Sequence, residues 1–259
     1  MGSNDTIIVP NSEWVPSLEH VYAKTSWAKH HLETLEAKVK GWIDSHPYSI
    51  AEKDNPERTL HCFVIKPRTA DVDIPLIAGD FVNCLRSALD QLAWNLVHLY
   101  PETIPTTNGA KRQVVFPICE TDAAYVSKRR LFHPDIGKAL DLFQPQDRAN
   151  AFRSHALWQL DRLWNIDKHK AIAVNCCKVD VAFYGGMKGQ IDYFDDSIIA
   201  VLPSLSRISL RPTYLKPRIT PQILFGDYMG DFEITTTGLR DIYEFVTKMV
   251  IPRFAGFFP

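Results

Sequence analysis

The apolar period of this chain changes at about residue 171, and no other feature limits its fold as much. Before that point apolar residues recur at steps of three and four, the spacing of a helix face. From Ala171 to Thr236 they come in short runs divided by Gly and Pro turns, which is strand patterning. Helical spacing returns at about 238–250, where Leu239, Ile242, Phe245, Val246 and Met249 share a face. Helices, then strands, then a helix predicts an α+β class: a helical bundle with a mainly antiparallel β-sheet inserted before the C-terminal helix. Short connections allow antiparallel pairing but not parallel crossovers, so one antiparallel sheet is expected over 171–236.

The longest predicted helix is 17–44, with Ser17 as its cap. Leu18, Val21, Thr25, Ala28, Leu32, Leu35, Val39 and Trp42 form a heptad-like stripe that needs a second long helix to cover it. The other core helices are predicted at about 77–100 and 150–170, with short ones at 122–130 and 135–143 capped by Thr121 and Asp135. A hairpin is expected from Tyr48–Lys53 and Thr59–Pro67, and 101–113 reads as a polar loop. The strand-rich part divides into Ala171–Tyr184, Gln190–Val201, Ser206–Leu210, Gln222–Phe225 and Phe232–Thr236, with a turn at Gly185–Gly189. There is no internal repeat and no evident linker, so 1–259 reads as a single domain.

Two of these helices carry charge where apolar residues belong. On the 77–100 helix Phe81, Val82, Leu85, Leu89, Leu92, Ala93 and Leu96 form the core face, while Cys84, Ser87, Gln91, Asn95 and His98 lie mostly opposite. Asn83, Arg86 and Asp90 share a stripe beside the core face that continues as Trp94 and Val97, so they should sit partly inside. On the 150–170 helix Asp167 falls within the arc of Leu157, Leu160, Leu163 and Trp164. Asp161, Asn165 and His169 line the adjoining stripe. A core-facing carboxylate needs a cation, and Arg86, with its planar fork, is the expected partner of Asp167.

Composition narrows the function classes. Lys plus Arg is 29 and Asp plus Glu is 30, so a nucleic-acid partner would need a local basic patch. The run Lys128-Arg129-Arg130 reads as a solvated helix end. Five scattered cysteines, with no CxxC pair, fit reduced thiols in a cytoplasmic protein. No signal peptide or membrane-spanning run is expected. The chain has no GxSxG, no P-loop and no strand–GxGxxG–helix context.

The pair Gly79-Asp80-x-x-Asn83-x-Leu85-Arg86-x-x-Leu89-Asp90 and Leu160-x-x-Leu163-x-x-Ile166-Asp167-Lys168-His169, with Phe116-Pro117-Ile118 between them, resembles a family of uncharacterised bacterial proteins over roughly residues 75–172. The second helix also resembles HEPN domains, helical bundles that are often dimeric. Many of them are metal-independent endoribonucleases of toxin or defence systems. Their motif is an Arg, a following polar residue and a His four to six residues on. Arg162 and His169 have six residues between them. Leu163 stands where the motif has its polar residue, so the resemblance gives that part to Asn165. It implies RNA as partner, a homodimer, and no cofactor or metal. His169 would be the general base or acid, Arg162 would stabilise phosphate charge and Asn165 would position the group. Asn83, Arg86, Asp90, Asp161, Asp167 and Lys168 would complete a binding centre. Two rivals remain at this point: a non-catalytic interaction protein whose polar centre is structural, and a hydrolase with a metal on Asp161, Asn165 and His169.

Overall fold

The computed structural model describes residues 15–53, 60–145, 152–182, 190–194, 197–203, 218–227 and 232–259. The class is α+β, with helices on both sides of the strand-rich stretch and, among the described residues, every strand pairing antiparallel. Among the described residues no helix is long and apolar enough to cross a membrane.

Helix α1 (Glu19–Asp44) buries the predicted stripe from Val21 to Trp42 against α2 (Asp73–Val97), and Leu18 packs at its edge. Ser17 does not cap α1. Leu18 holds the cap position without a side-chain bond, and the Ser17 carbonyl instead accepts the Asn95 amide at 2.7 Å. Asn95 is therefore buried, not solvent-facing, and Cys84, Ser87, Gln91 and His98 are half-buried. The reason is that α2 is the central helix, flanked by α1, α6 and β3: its first half keeps a wet stripe at Asp73, Leu76, Asp80 and Asn83, but from Cys84 on no residue of α2 is fully exposed. His46 leaves α1 at φ 53°, the left-handed conformation common just past a helix end, before Pro47 stops any continuation.

The expected hairpin is present as β1 (Tyr48–Lys53) and β2 (Leu60–Pro67), with Ile50 opposite Ile65. Its turn at Asp54–Glu57 lies outside the described residues, as do Ser206–Leu210 and the Gly185–Gly189 turn. The polar loop at 101–113 is partly helical: a 3-10 turn at Pro101–Thr103, then α3 (Asn108–Gln113), capped by Thr107. Thr121 caps α4 (Asp122–Arg129) as expected, accepting the Ala124 N–H at 3.3 Å. His133, not Asp135, caps α5 (Pro134–Asp141), because Pro134 already occupies the first helical position. Helix α6 (Ala156–His169) follows.

The strands do not form one sheet. Those of 190–203 split into β4 (Gln190–Phe194) and β5 (Ser197–Pro203), and β5 pairs with β2, far back in the chain. This makes one sheet in the order β1-β2-β5-β4. The second sheet is β3-β6-β7, from Ala173–Ala182, Arg218–Gly226 and Glu233–Thr235. Strand β3 slips register between Asn175 and Lys178, so Cys176 and Cys177 sit in a bulge and not in a regular alternation. Gly226 is required where β6 meets β7, since a Cβ there would lie 1.9 Å from the Phe232 carbonyl oxygen. The closing helix is longer than predicted. Helix α7 (Thr236–Glu244) widens into a π turn at Phe245–Val250 and continues as α8 (Ile251–Ala255). The widening precedes Pro252, whose ring has no N–H for the ordinary ladder.

Candidate functional site

Helix α6 has two faces with different chemistry. Its inner face lies on α2. Arg86 is only 4% exposed, and its guanidinium lies between two carboxylates, with Nη1 3.0 Å from Asp90 Oδ1 and Nε 3.3 Å from Asp161 Oδ1. Nη2 donates to the Phe116 carbonyl at 3.3 Å, and the cation sits 5.4 Å from the Trp164 ring centre. Asp90 closes the circuit by accepting the Phe116 N–H at 2.9 Å. Nε and Nη1 are buried without an aligned hydrogen bond, so charge proximity holds the group more than directed bonding does. This cluster fastens the extended segment Val114–Cys119 against the seam between α2 and α6.

Asp167 does not pair with Arg86. It accepts from Asn83 Nδ2 at 2.7 Å and lies over Gly79, where a Cβ would come 2.5 Å from its Oδ1. The pairs Asn83–Asp167 and Arg86–Asp161 show why. Numbering rises along α2 as it falls along α6, so the helices are antiparallel and Asp167 meets the turn of α2 before Arg86. Arg86 takes the carboxylate two turns earlier on α6.

The outer face carries the other predicted residues. Arg162, Asn165, Lys168, His169 and Lys170 are all exposed. Arg162 Nη2 is 3.1 Å from Asp227 Oδ2. The Asn165 amide turns back to Asp161, donating to its carbonyl at 2.8 Å and its carboxylate at 3.0 Å. Lys168 Nζ lies 4.7 Å from the Trp164 ring centre. His169 is the last residue of α6. The structure thus separates the sequence-predicted residues. Arg86, Asp90 and Asp161 meet at the buried seam. Asn83, expected partly inside, is exposed and pairs with half-buried Asp167 at the rim, because its stripe reaches the surface one turn before Arg86. Arg162, Asn165, Lys168 and His169 share the exterior. Asp161 is committed to Arg86 and Asn165, and among the described residues no three His, Cys, Asp or Glu side chains converge to hold a metal ion.

Burial pushes the carboxyls of both Asp90 and Asp161 above the ordinary carboxylate range, with Arg86 pulling each back down only in part. Between the unfolded value, about 3.9, and their raised folded values the folded chain keeps protons that the unfolded chain has lost. Their contribution to stability therefore falls as pH rises through that window and is constant above it. Asp141 behaves oppositely: hydrogen bonds from Arg129 and Tyr125 hold it low, so its contribution is lost on acidification. The Asp161→Asn variant is expected to lose stability relative to wild type between pH 7 and pH 4, read by urea unfolding at each pH. A variant that instead gains on wild type at pH 4 would show that Arg86 holds Asp161 low.

Sequence reasoning missed one group of residues. Glu120 accepts the Trp158 indole N–H at 2.6 Å, and both line a cavity with Arg153, Arg162 and Phe232. Nothing in the sequence marks Glu120, which lies in the link between the extended segment and α4. No family model matches this chain, and neither the curated proteins nor the solved structures include a match.

Proposed function

We propose that this chain is a HEPN-like protein of the cytosol that binds single-stranded RNA on the outer face of α6. The observation that carries the reading is the sorting of charge across that helix. Its two carboxylates, Asp161 and Asp167, turn onto Arg86 and Asn83, while Arg162, Lys168, His169 and Lys170 stay exposed. A chain of near-zero net charge thereby gains a local cationic strip at the C-terminal end of a helix, where the backbone dipole also favours cations. Phosphate contacts to such a strip are independent of sequence and weaken with salt.

The same face holds the groups that strand cleavage would need. His169 would take the proton from a ribose 2′-hydroxyl as its oxygen attacks the adjacent phosphorus. The bond from phosphorus to the 5′-oxygen would break, that oxygen would leave as a hydroxyl with a proton from water, a 2′,3′-cyclic phosphate would remain, and Arg162 would offset the growing phosphate charge. Arg162 and His169 are about 10 Å apart along the helix axis, so their side chains must converge on the phosphate from two turns apart. Asn165 could assist only by releasing Asp161. The inner cluster has a structural part in this reading: it sets the seam of α2 and α6 and so the aim of the outer residues.

The His169→Ala variant tests the chemistry. It is expected to bind single-stranded RNA within a few-fold of wild type, to keep its melting temperature and to lose cleavage. Cleavage by the variant at the wild-type rate would remove His169 from the reaction. Binding without cleavage by either protein would leave RNA binding and exclude the nuclease.

A further inference from the structure

The cavity beside Arg162 is lined by none of Lys168, His169 and Lys170, the residues at the end of α6. It measures about 350 Å³ and is lined by Glu120, Arg153, Trp158, Arg162 and Phe232. That volume lies within the range of small-molecule sites. Trp158 and Phe232 meet edge to face at 5.4 Å and form an apolar floor. The Trp158 indole N–H takes one lone pair of Glu120 Oε1, which orients the carboxylate and leaves that oxygen's second lone pair, together with Oε2, for a pair of incoming donors. Arg162 is steadied by Asp227 through one amino group and retains further donors. Arg153 is exposed and lies 5.9 Å from the Phe152 ring centre. One oriented acceptor, two guanidinium groups and an apolar floor line one cavity, and it shares Arg162 with the outer face of α6.

We propose that this cavity is a guanine-nucleotide pocket that holds one residue of the bound RNA. The proposal rests on the RNA reading above. Guanine is selected by the acceptor. Its Watson–Crick edge presents two adjacent donors, the ring N1–H and the exocyclic amine, which a carboxylate accepts as a pair. Adenine and cytosine set a ring lone pair beside their amine, and uracil sets its one N–H between two carbonyls, so each would face the carboxylate with an acceptor. Arg153 and Arg162 take the phosphate, for which the guanidinium fork is suited. Single-stranded RNA is read in this way, by splayed bases whose edges meet side chains.

The probes are guanosine, inosine and adenosine 5′-monophosphates and a G-containing single-stranded RNA, titrated calorimetrically into wild type and Glu120→Gln. Wild type is expected to prefer the guanosine nucleotide over adenosine by about tenfold or more, as a bidentate base contact gives. Inosine, which lacks the exocyclic amine, should fall between them. Glu120→Gln keeps an oxygen for Trp158 and should keep its melting temperature while losing the preference. Arg153→Ala should weaken guanosine and adenosine nucleotides equally. Equal binding of the three nucleotides by wild type, or an unchanged preference in Glu120→Gln, would overturn the pocket while leaving RNA binding on α6 intact. Glu120-dependent binding of the free guanosine nucleotide without RNA binding would overturn the RNA reading and leave the pocket standing.

Discussion

Replacing Arg86 with alanine is expected to destabilise the fold by about 3–5 kcal/mol, the usual cost of stripping one partner from a buried charge cluster. The cost comes from what remains. Asp90 and Asp161 would face one another without the cation that now lies within 3.3 Å of both. The Phe116 carbonyl would lose its donor and Trp164 its cation. Removing one carboxylate is a smaller change at neutral pH, because burial already works against ionising either acid and Arg86 would keep the other. Urea unfolding at pH 7 measures the effect. A loss below about 1 kcal/mol would mean that water reaches the cluster and screens it as at a surface pair.

The second large effect is expected at Phe116. Its ring is fully buried and meets the ring of Phe254, also fully buried, edge to face at 6.1 Å. Phe116→Ala should cost about 3–5 kcal/mol, the sum of lost transfer energy and the cavity left behind. Its backbone N–H and carbonyl bind Asp90 and Arg86, and an alanine keeps both bonds. The ring and the polar cluster nonetheless share one segment, so the two losses should fail to add in the double variant Arg86→Ala with Phe116→Ala. Strict additivity in a thermodynamic cycle would show that the segment is not fixed jointly by core and cluster.

How far the fold could be read from the sequence depended on whether the signal was local. The stripe from Val21 to Trp42 repeats within one helix, and the structure buries it as spaced. The hairpin 48–67 and the strands β3, β6 and β7 are visible because period and turn residues are local too, whereas β4 and β5 read as one strand over 190–201. Their partners were not. Strand β2 pairs with β5 across more than a hundred residues, and alternation says that a strand exists without saying which edge it joins. The same limit governed the site. A helical wheel placed Arg86, Asp90, Asp161 and Asp167 near the interior, and all four lie at the seam of α2 and α6. It could not show that the helices run antiparallel, and that direction alone gives Asp161 to Arg86 and Asp167 to Asn83. Asn95 was misplaced because a wheel assumes one wet side, and α2 is enclosed by neighbours drawn from distant sequence. Glu120 had no local signature at all, since its meaning arises only when Trp158 reaches it across 38 positions.

The claim that the outer face of α6 is the working surface is tested most directly by reversing its charge. The variant Lys168→Glu with Lys170→Glu alters two exposed side chains at the helix end; it removes the Lys168 contact with Trp164 and leaves the ion pairs of Arg86 with Asp90 and Asp161 in place. Single-stranded RNA affinity, measured by fluorescence anisotropy over a salt series, should fall roughly tenfold or more at low salt. The log–log salt slope should shrink by about 0.7 for each phosphate that the variant no longer neutralises, with the variant still folded and its melting temperature lowered only modestly by the two carboxylates at the helix C-terminus. Wild-type affinity and slope in the folded variant, or no RNA binding by wild type at low salt, would contradict the account.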